Sequence, residues 1–236
     1  MITNIRLKIL EKIVDVYEYF FYDNKLKKVL KSIKLDSVFD VGSNKGGFID
    51  LVLRVNPSAT IHAFEPNPVI FKLLARKFTF AKVKLNNCAI SDSIEKKIFY
   101  ENIFNLTSSL EKPDLESKHS QKKIKTFGIK PEELIKNTYE VDTITLSNYL
   151  KIHTIKEIDY IKIDTEGHEF ECLKGLFDNL TCKIKYIQVE EHNTESHSQS
   201  VLESKKILAH NQFVEFKRIK HHLGKFFDVI YINNTL

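Results

Sequence analysis

The run Ser37-Val38-Phe39-Asp40-Val41-Gly42-Ser43-Asn44-Lys45-Gly46-Gly47-Phe48 decides the fold. Ser37 to Val41 is a short apolar strand, and Phe48, Leu51, Val52 and Val55 recur at i, i+3, i+4 and i+7, the stripe of a helix that must begin at once. Glycines in the link let the backbone approach a ligand closely, and the helix N-terminus offers unpaired N–H groups. Such a turn alone is also what any tight strand-to-helix connection needs. A second acid adds weight: Glu65 ends the next strand, Thr60 to Phe64, 23 residues after Gly42, where a carboxylate can accept both hydroxyls of a ribose.

Charge chemistry selects among nucleosides. A dinucleotide turn cradles a pyrophosphate and avoids fixed negative charge at its base, whereas Asp40 sits two residues before the first glycine. The turn also lacks the Lys-Ser/Thr ending of a phosphate loop. S-Adenosylmethionine carries a sulfonium and an amino group and no phosphate, and a carboxylate suits it.

Outward from this turn, short apolar strands alternate with amphipathic helices, the signature of a parallel sheet covered on both faces. Asn67 as N-cap and Pro68 at the first helical position open a second helix carrying Ile70, Leu74 and Phe78. Lys82 to Ile90 reads as a third strand and Lys96 to Tyr100 as an added antiparallel piece. Residues 102–139 read as a polar insertion with little periodicity. Ile158 to Ile163 is a strand, Thr165 is expected to cap a helix with Phe170, Leu173 and Phe177, and that helix is expected to end near Gly175. Ile184 to Val189, a helix over Ser196 to His210, and strands at Phe213 to Ile219 and Asp228 to Ile232 complete the chain. Residues 5–35 have a helical rhythm, with Ile9, Ile13, Val16, Tyr17 and Phe20 on one face. The expected division is an N-terminal helical segment, 1–36, and one domain, 37–236.

Composition sets outer bounds. With 236 residues and 42% hydrophobic content the chain can build one sizeable core, and disorder, collagen and coiled coil are excluded. No apolar stretch approaches the roughly 18 residues of a membrane span. Charges throughout the first 30 residues interrupt any secretory core, so the expectation is a cytoplasmic chain with Cys88, Cys172 and Cys182 reduced. The net charge of +5 is a mild excess. Lysines gather near 25–34, 118–130 and 217–225, which motivates an RNA methyltransferase as a rival; nucleic acid is not favoured, because most such lysines are solvated surface.

Asp40-x-Gly42-x-Asn44-x-Gly46, Phe64-Glu65-Pro66-Asn67, Asn87-Cys88-Ala89-Ile90-Ser91-Asp92, Val141-Asp142-Thr143-Ile144 and Ile158-Asp159-Tyr160-Ile161-Lys162-Ile163-Asp164-Thr165-Glu166-Gly167-His168-Glu169 together resemble the FkbM-type methyltransferases over roughly residues 37–192. The Lys-Ile-Asp-x-Glu-Gly-x-Glu run is the most specific piece, and Ser43 departs from the alanine usual there. The resemblance implies a class I, Rossmann-like, S-adenosylmethionine-dependent enzyme with a seven-stranded, mostly parallel sheet, helices on both faces and an antiparallel last strand. It also implies O-methylation of a saccharide or other small-molecule acceptor.

The cofactor side is expected to comprise Asp40, Gly42, Ser43, Asn44, Gly46, Glu65 and Pro66, with Asn87, Cys88 and Ala89 near the adenine. The catalytic side is expected to comprise Asp164, Glu166, His168, Glu190 and His192. Asp164 ends a central strand where such sheets place ligands, and Glu190 and His192 share one side of the neighbouring strand end. A histidine beside a carboxylate can accept a hydroxyl proton near neutral pH. Lys162 interrupts a buried strand and needs an acidic partner, Asp164 being the nearest in sequence. Glu169 reads as an acid at the helix's positive end. Asp164, Glu166, Glu190 and His192 could collect one Mg2+ or Mn2+, but no metal is favoured. A catalytically inactive nucleoside-binding module that acts as an interaction domain, and a homodimer formed through the N-terminal helix, complete the alternatives.

Overall fold

The computed structural model describes residues 22–104, 107–192, 198–221 and 226–236. Of the expected helical lead-in, the described part is α1 (Asp23–Leu30), which buries Leu26, Val29 and Leu30. Ile9, Ile13, Val16, Tyr17 and Phe20, and with them the expected dimer contact, lie outside the described residues. β1 (Ser37–Val41), α2 (Gly47–Val55), β2 (Thr60–Phe64), α3 (Pro68–Lys77) and β3 (Val83–Asn86) then alternate. The Asn67 side chain accepts from the N–H groups of Val69 and Ile70 and so caps α3, with Pro68 in its first turn.

β4 (Ala89–Ile90), β5 (Lys96–Asn102), α4 (Lys118–Phe127) and β6 (Ile135–Ile144) come next, followed by α5 (Leu146–Ile152), β7 (Glu157–Ile163), α6 (Glu169–Phe177), β8 (Lys183–His192), α7 (Ser198–His210), β9 (Phe213–Lys220) and β10 (Phe226–Asn233). The main sheet has seven strands in the order β3-β2-β1-β7-β8-β10-β9. Pairing is parallel from β3 through β8, while β10 runs antiparallel to both β8 and β9. Strand order reverses between β1 and β7, and the crevice outside the strand ends at such a reversal is where open α/β sheets bind ligands.

Alternation along the strands splits the core into two layers. Phe39, Val41, Ile161, Ile163, Ile187 and Val189 pack with Leu173 and Leu176 of α6 and Leu208 of α7. Val38, Tyr160 and Ile230 face the other way, with Leu26 of α1 and Leu51 and Val52 of α2. No helix among the described residues is long and apolar enough to cross a membrane.

Three expectations are corrected. The stretch Lys82 to Ile90 is two strands: β3 ends at Asn86, and after Asn87-Cys88 the chain enters a second, three-stranded sheet of order β4-β6-β5. The polar stretch 102–139 contains α4, a 3-10 turn at Pro131–Glu133 and the first half of β6, which pairs antiparallel with β5. Its small apolar cluster is Ile124 of α4 with Ile129 and Leu134 beyond it.

The third correction concerns α6, which runs two residues beyond Gly175. That glycine is needed for packing, because a Cβ there would lie 2.1 Å from the Ser91 carbonyl oxygen. Gly175→Ala should therefore cost about 1–3 kcal/mol in urea unfolding, the range for forced overpacking. Gly47→Ala, whose Cβ would meet nothing within 4 Å, should stay within about 0.5 kcal/mol of the parent.

Candidate functional site

The glycines of the first turn have structural reasons to be glycine. A Cβ on Gly42, at φ +83°, would stand 1.9 Å from the Asp164 carbonyl oxygen, and one on Gly46, at φ +78°, would stand 2.4 Å from the Phe78 ring. The turn is thus packed against the end of β7 on one side and α3 on the other, and this packing by itself requires both glycines. Gly42 and Ser43 donate their N–H groups to the Phe64 carbonyl at 3.1 and 3.0 Å. Ser43 Oγ donates to the Asp40 carbonyl at 2.9 Å.

Glu65 fastens this turn to the end of β2. Its Oε2 accepts from the Asn44 N–H and its Oε1 from the Asn67 N–H, both at 2.8 Å. Burial pushes its carboxyl up to about 7, against the pull of those two N–H groups. Asn87 donates from Nδ2 to the carbonyls of Glu65 at 2.8 Å and Pro66 at 3.1 Å, holding the acid in place from behind. Cys88, whose thiol burial raises to about 11, and Ala89 at the start of β4 carry the chain away towards the second sheet.

Parallel pairing sets a row of charges across the strand ends. Asp40 lies beside Lys162, and Lys162 beside Gln188; Asp228 on β10 faces Glu190. Lys162 Nζ binds Asp164 Oδ2 at 2.7 Å, and although burial works against its charge, Asp164 and Asp40 hold its ammonium above the usual range. Asp40 is fully buried, and neither of its carboxylate oxygens has a hydrogen-bond partner among the described residues. Burial pushes its carboxyl up to about 6, with the Lys162 charge pulling the other way. Glu190 is raised well above the usual range, by burial first and then by the charges of Asp164 and Asp228.

The sequence reading missed what stands beside Glu190. His221 Nε2 meets Asp228 Oδ2 at 2.6 Å, and Tyr22 stacks on the His221 ring with centroids 4.3 Å apart. Burial alone would raise Asp228, but His221 keeps its carboxyl below the usual range. Asp228 could have been suspected from its place in the otherwise apolar Phe-Phe-Asp-Val-Ile-Tyr strand; its register opposite Glu190 could not.

The turn after β7 departs from expectation. Thr165 does not cap α6; instead Glu169, buried in the first helical turn, accepts from Thr165 N–H at 2.8 Å, Thr165 Oγ1 at 3.0 Å and Gly167 N–H at 3.1 Å. Glu166 takes a left-handed φ of 56° and Gly167 a φ of 107°. The carboxylate oxygens of Asp164, Glu166 and Glu190 converge to within 4.8 Å of one another, an all-oxygen donor set of the kind that Mg2+ or Mn2+ accepts.

His168 points away from this convergence. Its ring is buried, with Nε2 at 3.0 Å from Ser91 Oγ and Nδ1 at 2.7 Å from Glu111 Oε1. The side chain of His192, the other histidine candidate, lies outside the described residues. Glu191 faces the opposite side, where it binds Arg218 at 3.0 Å and Tyr231 at 2.5 Å. Part of the basic C-terminal stretch is therefore spent inside the fold.

An unpartnered buried carboxylate gives a pH-dependent signature. A folded value near 6 against an ordinary 3.8 means that Asp40 destabilises the fold progressively as pH rises from about 4 to about 6, by about 3 kcal/mol at most. Asp40→Asn removes that titration. In urea unfolding, the stability of the variant relative to the parent should rise across this window and level off above about pH 6.

Comparison with known proteins agrees with this architecture. The model of the methyltransferase FkbM domain matches residues 40–224. The 31-O-demethyl-FK506 methyltransferase FkbM of Streptomyces tacrolimicus is 29% identical over 177 residues, covering 68% of this chain and 66% of that protein. Methyltransferase 1 of Beauveria bassiana is 27% identical over 209 residues, covering 78% and 82%. The chain thus spans slightly under two thirds of the Streptomyces relative. Among solved structures, the methyltransferase FkbM of Methylobacillus flagellatus superposes with a TM-score of 0.51 at 12% identity, over 84% of this chain and 43% of that one, a likeness of fold alone. With the matched domain spanning both the first-strand turn and the turn after β7, the chain belongs to the FkbM methyltransferase domain family, within the class I S-adenosylmethionine-dependent methyltransferases.

Proposed function

We propose that this protein transfers a methyl group from S-adenosylmethionine to a hydroxyl oxygen of a small-molecule or saccharide acceptor, in the crevice outside the ends of β1, β7 and β8. The observation that carries the reading is the convergence of Asp164, Glu166 and Glu190 at the ends of β7 and β8, next to the turn held by Asp40 and Glu65. The cofactor fits this chain: Asp40 is a buried carboxylate without a donor of its own beside the turn, and Glu65 stands at the strand end where a ribose would be bound. The name of the Streptomyces relative, a 31-O-demethyl-FK506 methyltransferase, supports oxygen as the acceptor atom.

When bound, the cofactor supplies an electrophilic methyl group on a sulfonium. The residues then have separate tasks. Glu65 accepts the ribose hydroxyls with lone pairs left over from its two backbone donors. Asp164, oriented by Lys162, accepts a hydrogen bond from the acceptor hydroxyl, aims its oxygen at the methyl carbon and takes its proton. As the acceptor oxygen bonds the methyl carbon, the carbon–sulfur bond breaks and S-adenosylhomocysteine departs. Burial and the charges of Asp164 and Asp228 hold Glu190 towards its protonated form, so it donates a hydrogen bond to the acceptor. Lys162 already supplies a positive charge beside Asp164, so the reading requires no metal ion.

Calorimetric titration with S-adenosylhomocysteine and, separately, NAD tests the cofactor half. Binding of the thioether alone, weakened at least tenfold by Glu65→Ala, is expected; a preference for NAD overturns the reading. With acceptor hydroxyls supplied as neutral saccharides and macrolide-type alcohols, Asp164→Asn should lower kcat by about 10²–10⁴ and leave S-adenosylhomocysteine affinity within threefold. EDTA treatment should leave the parent's rate unchanged.

A further inference from the structure

Glu169 is neither at the strand ends nor in the crevice, yet the turn that carries Asp164 and Glu166 closes on it. Its carboxylate is 4% exposed and gathers every polar hydrogen this short turn offers on its side: the Thr165 N–H and hydroxyl on Oε1, and the Gly167 N–H shared between Oε1 and Oε2 at 3.1 Å each. Between those anchors sits Glu166, a non-glycine residue at φ 56°. A left-handed glutamate is unfavourable by itself and persists where the surroundings over-determine it.

The other supports of the turn fix different atoms. The Asp164 N–H donates to the Val41 carbonyl at 3.1 Å, continuing the β1–β7 ladder. The Asp164 carbonyl abuts Gly42, so closely that no Cβ would fit. Ser109 Oγ, from the segment between β5 and α4, donates to the Thr165 carbonyl at 2.8 Å. His168, directly after Gly167, is anchored by Ser91 and Glu111, so these contacts hold the two ends of the turn while Glu169 ties Thr165 to Gly167 across the bend. Without Glu169 the turn would keep its ends and lose the tie between them, letting the two carboxylates that the bend brings together separate.

We propose that Glu169 is a positioning residue for methyl transfer: it touches no reactant, and it sets the relative placement of Asp164 and Glu166 by binding the turn between them and α6. The proposal rests on the catalytic reading of Asp164 given above and on the convergence of Glu166 with it. An acid favouring the positive end of α6 would also be satisfied by electrostatics alone, so the two explanations differ in what replacement does to the turn.

The test uses the full chain and three variants, Glu169→Ala, Glu169→Gln and Thr165→Val. Hydrogen–deuterium exchange over peptides containing 164–168 reads the turn directly and needs no acceptor. Exchange at these amides should quicken at least tenfold in Glu169→Ala, with sheet peptides unchanged, and recover largely in Glu169→Gln, which keeps a carbonyl acceptor and lacks the charge. Kinetics then read the consequence: kcat down at least thirtyfold in Glu169→Ala with S-adenosylhomocysteine affinity within threefold, several-fold down in Thr165→Val, and substantial rescue in Glu169→Gln.

Unaltered exchange in Glu169→Ala, or a kcat within threefold of the parent, overturns the positioning role and leaves the methyltransferase reading standing. A parent that binds the thioether and methylates no hydroxyl acceptor overturns that reading and takes this proposal with it. If Glu169→Ala does not fold, Thr165→Val decides: amide exchange and kcat both unchanged from the parent overturn the proposal.

Discussion

One buried ammonium organises the crevice. Lys162 stands in a central strand where an aliphatic side chain would be expected, and it remains there because carboxylates on two adjacent strand ends neutralise it. Removing water from a charge costs several kcal/mol unless partners compensate. The compensation here constrains geometry: β1 must deliver Asp40 at the register of Lys162, and the chain leaving β7 must bend at once so that Asp164 returns to its own lysine. The acids across the strand ends outnumber this one cation, so Glu190 is driven towards its protonated form and Asp228 relies on His221. The balance of the row decides which carboxylate is ionised near neutral pH.

Much of the fold was legible in the sequence because its signals are local. The period change at Ser37, the Asn67-Pro68 helix start and the apolar runs that became β1, β2, β7 and β8 each report a backbone preference that tertiary contacts did not override. The failures share a cause. Asn87-Cys88 reads as the interior of one strand because nothing in the local pattern marks a change of sheet, and α4 escaped notice because Ile124 and Phe127 are the only apolar residues in its ten, too few to mark a face. Gly175 resembled a helix stop, whereas a distant carbonyl requires it.

The site was legible in part. Asp40, Glu65, Asp164, Glu166 and Glu190 are brought to the strand ends, since strand alternation and the reversal of strand order are enough to place them. His168 was not, because its role follows from Ser91 and Glu111, residues 77 and 57 positions away in sequence. The roles of Thr165 and Glu169 were reversed for a related reason: a capping pattern names the residue types that exchange hydrogen bonds, and the path of the chain decides which one gives.

The second sheet and α4 carry small clusters of their own, Ala89 with Phe99 and Val141 in one and Ile124 with Ile129 and Leu134 in the other. Each is a fraction of the size of the two layers around the main sheet. A region whose cohesion rests on three buried apolar side chains is expected to open at a lower free energy than the global transition. Burial in the chain is therefore of two tiers: a main sheet held between two large buried layers, and a flank over the turn after β7 held by small ones. Sequence change can accumulate in that flank without disturbing the register of β1, β2 and β7.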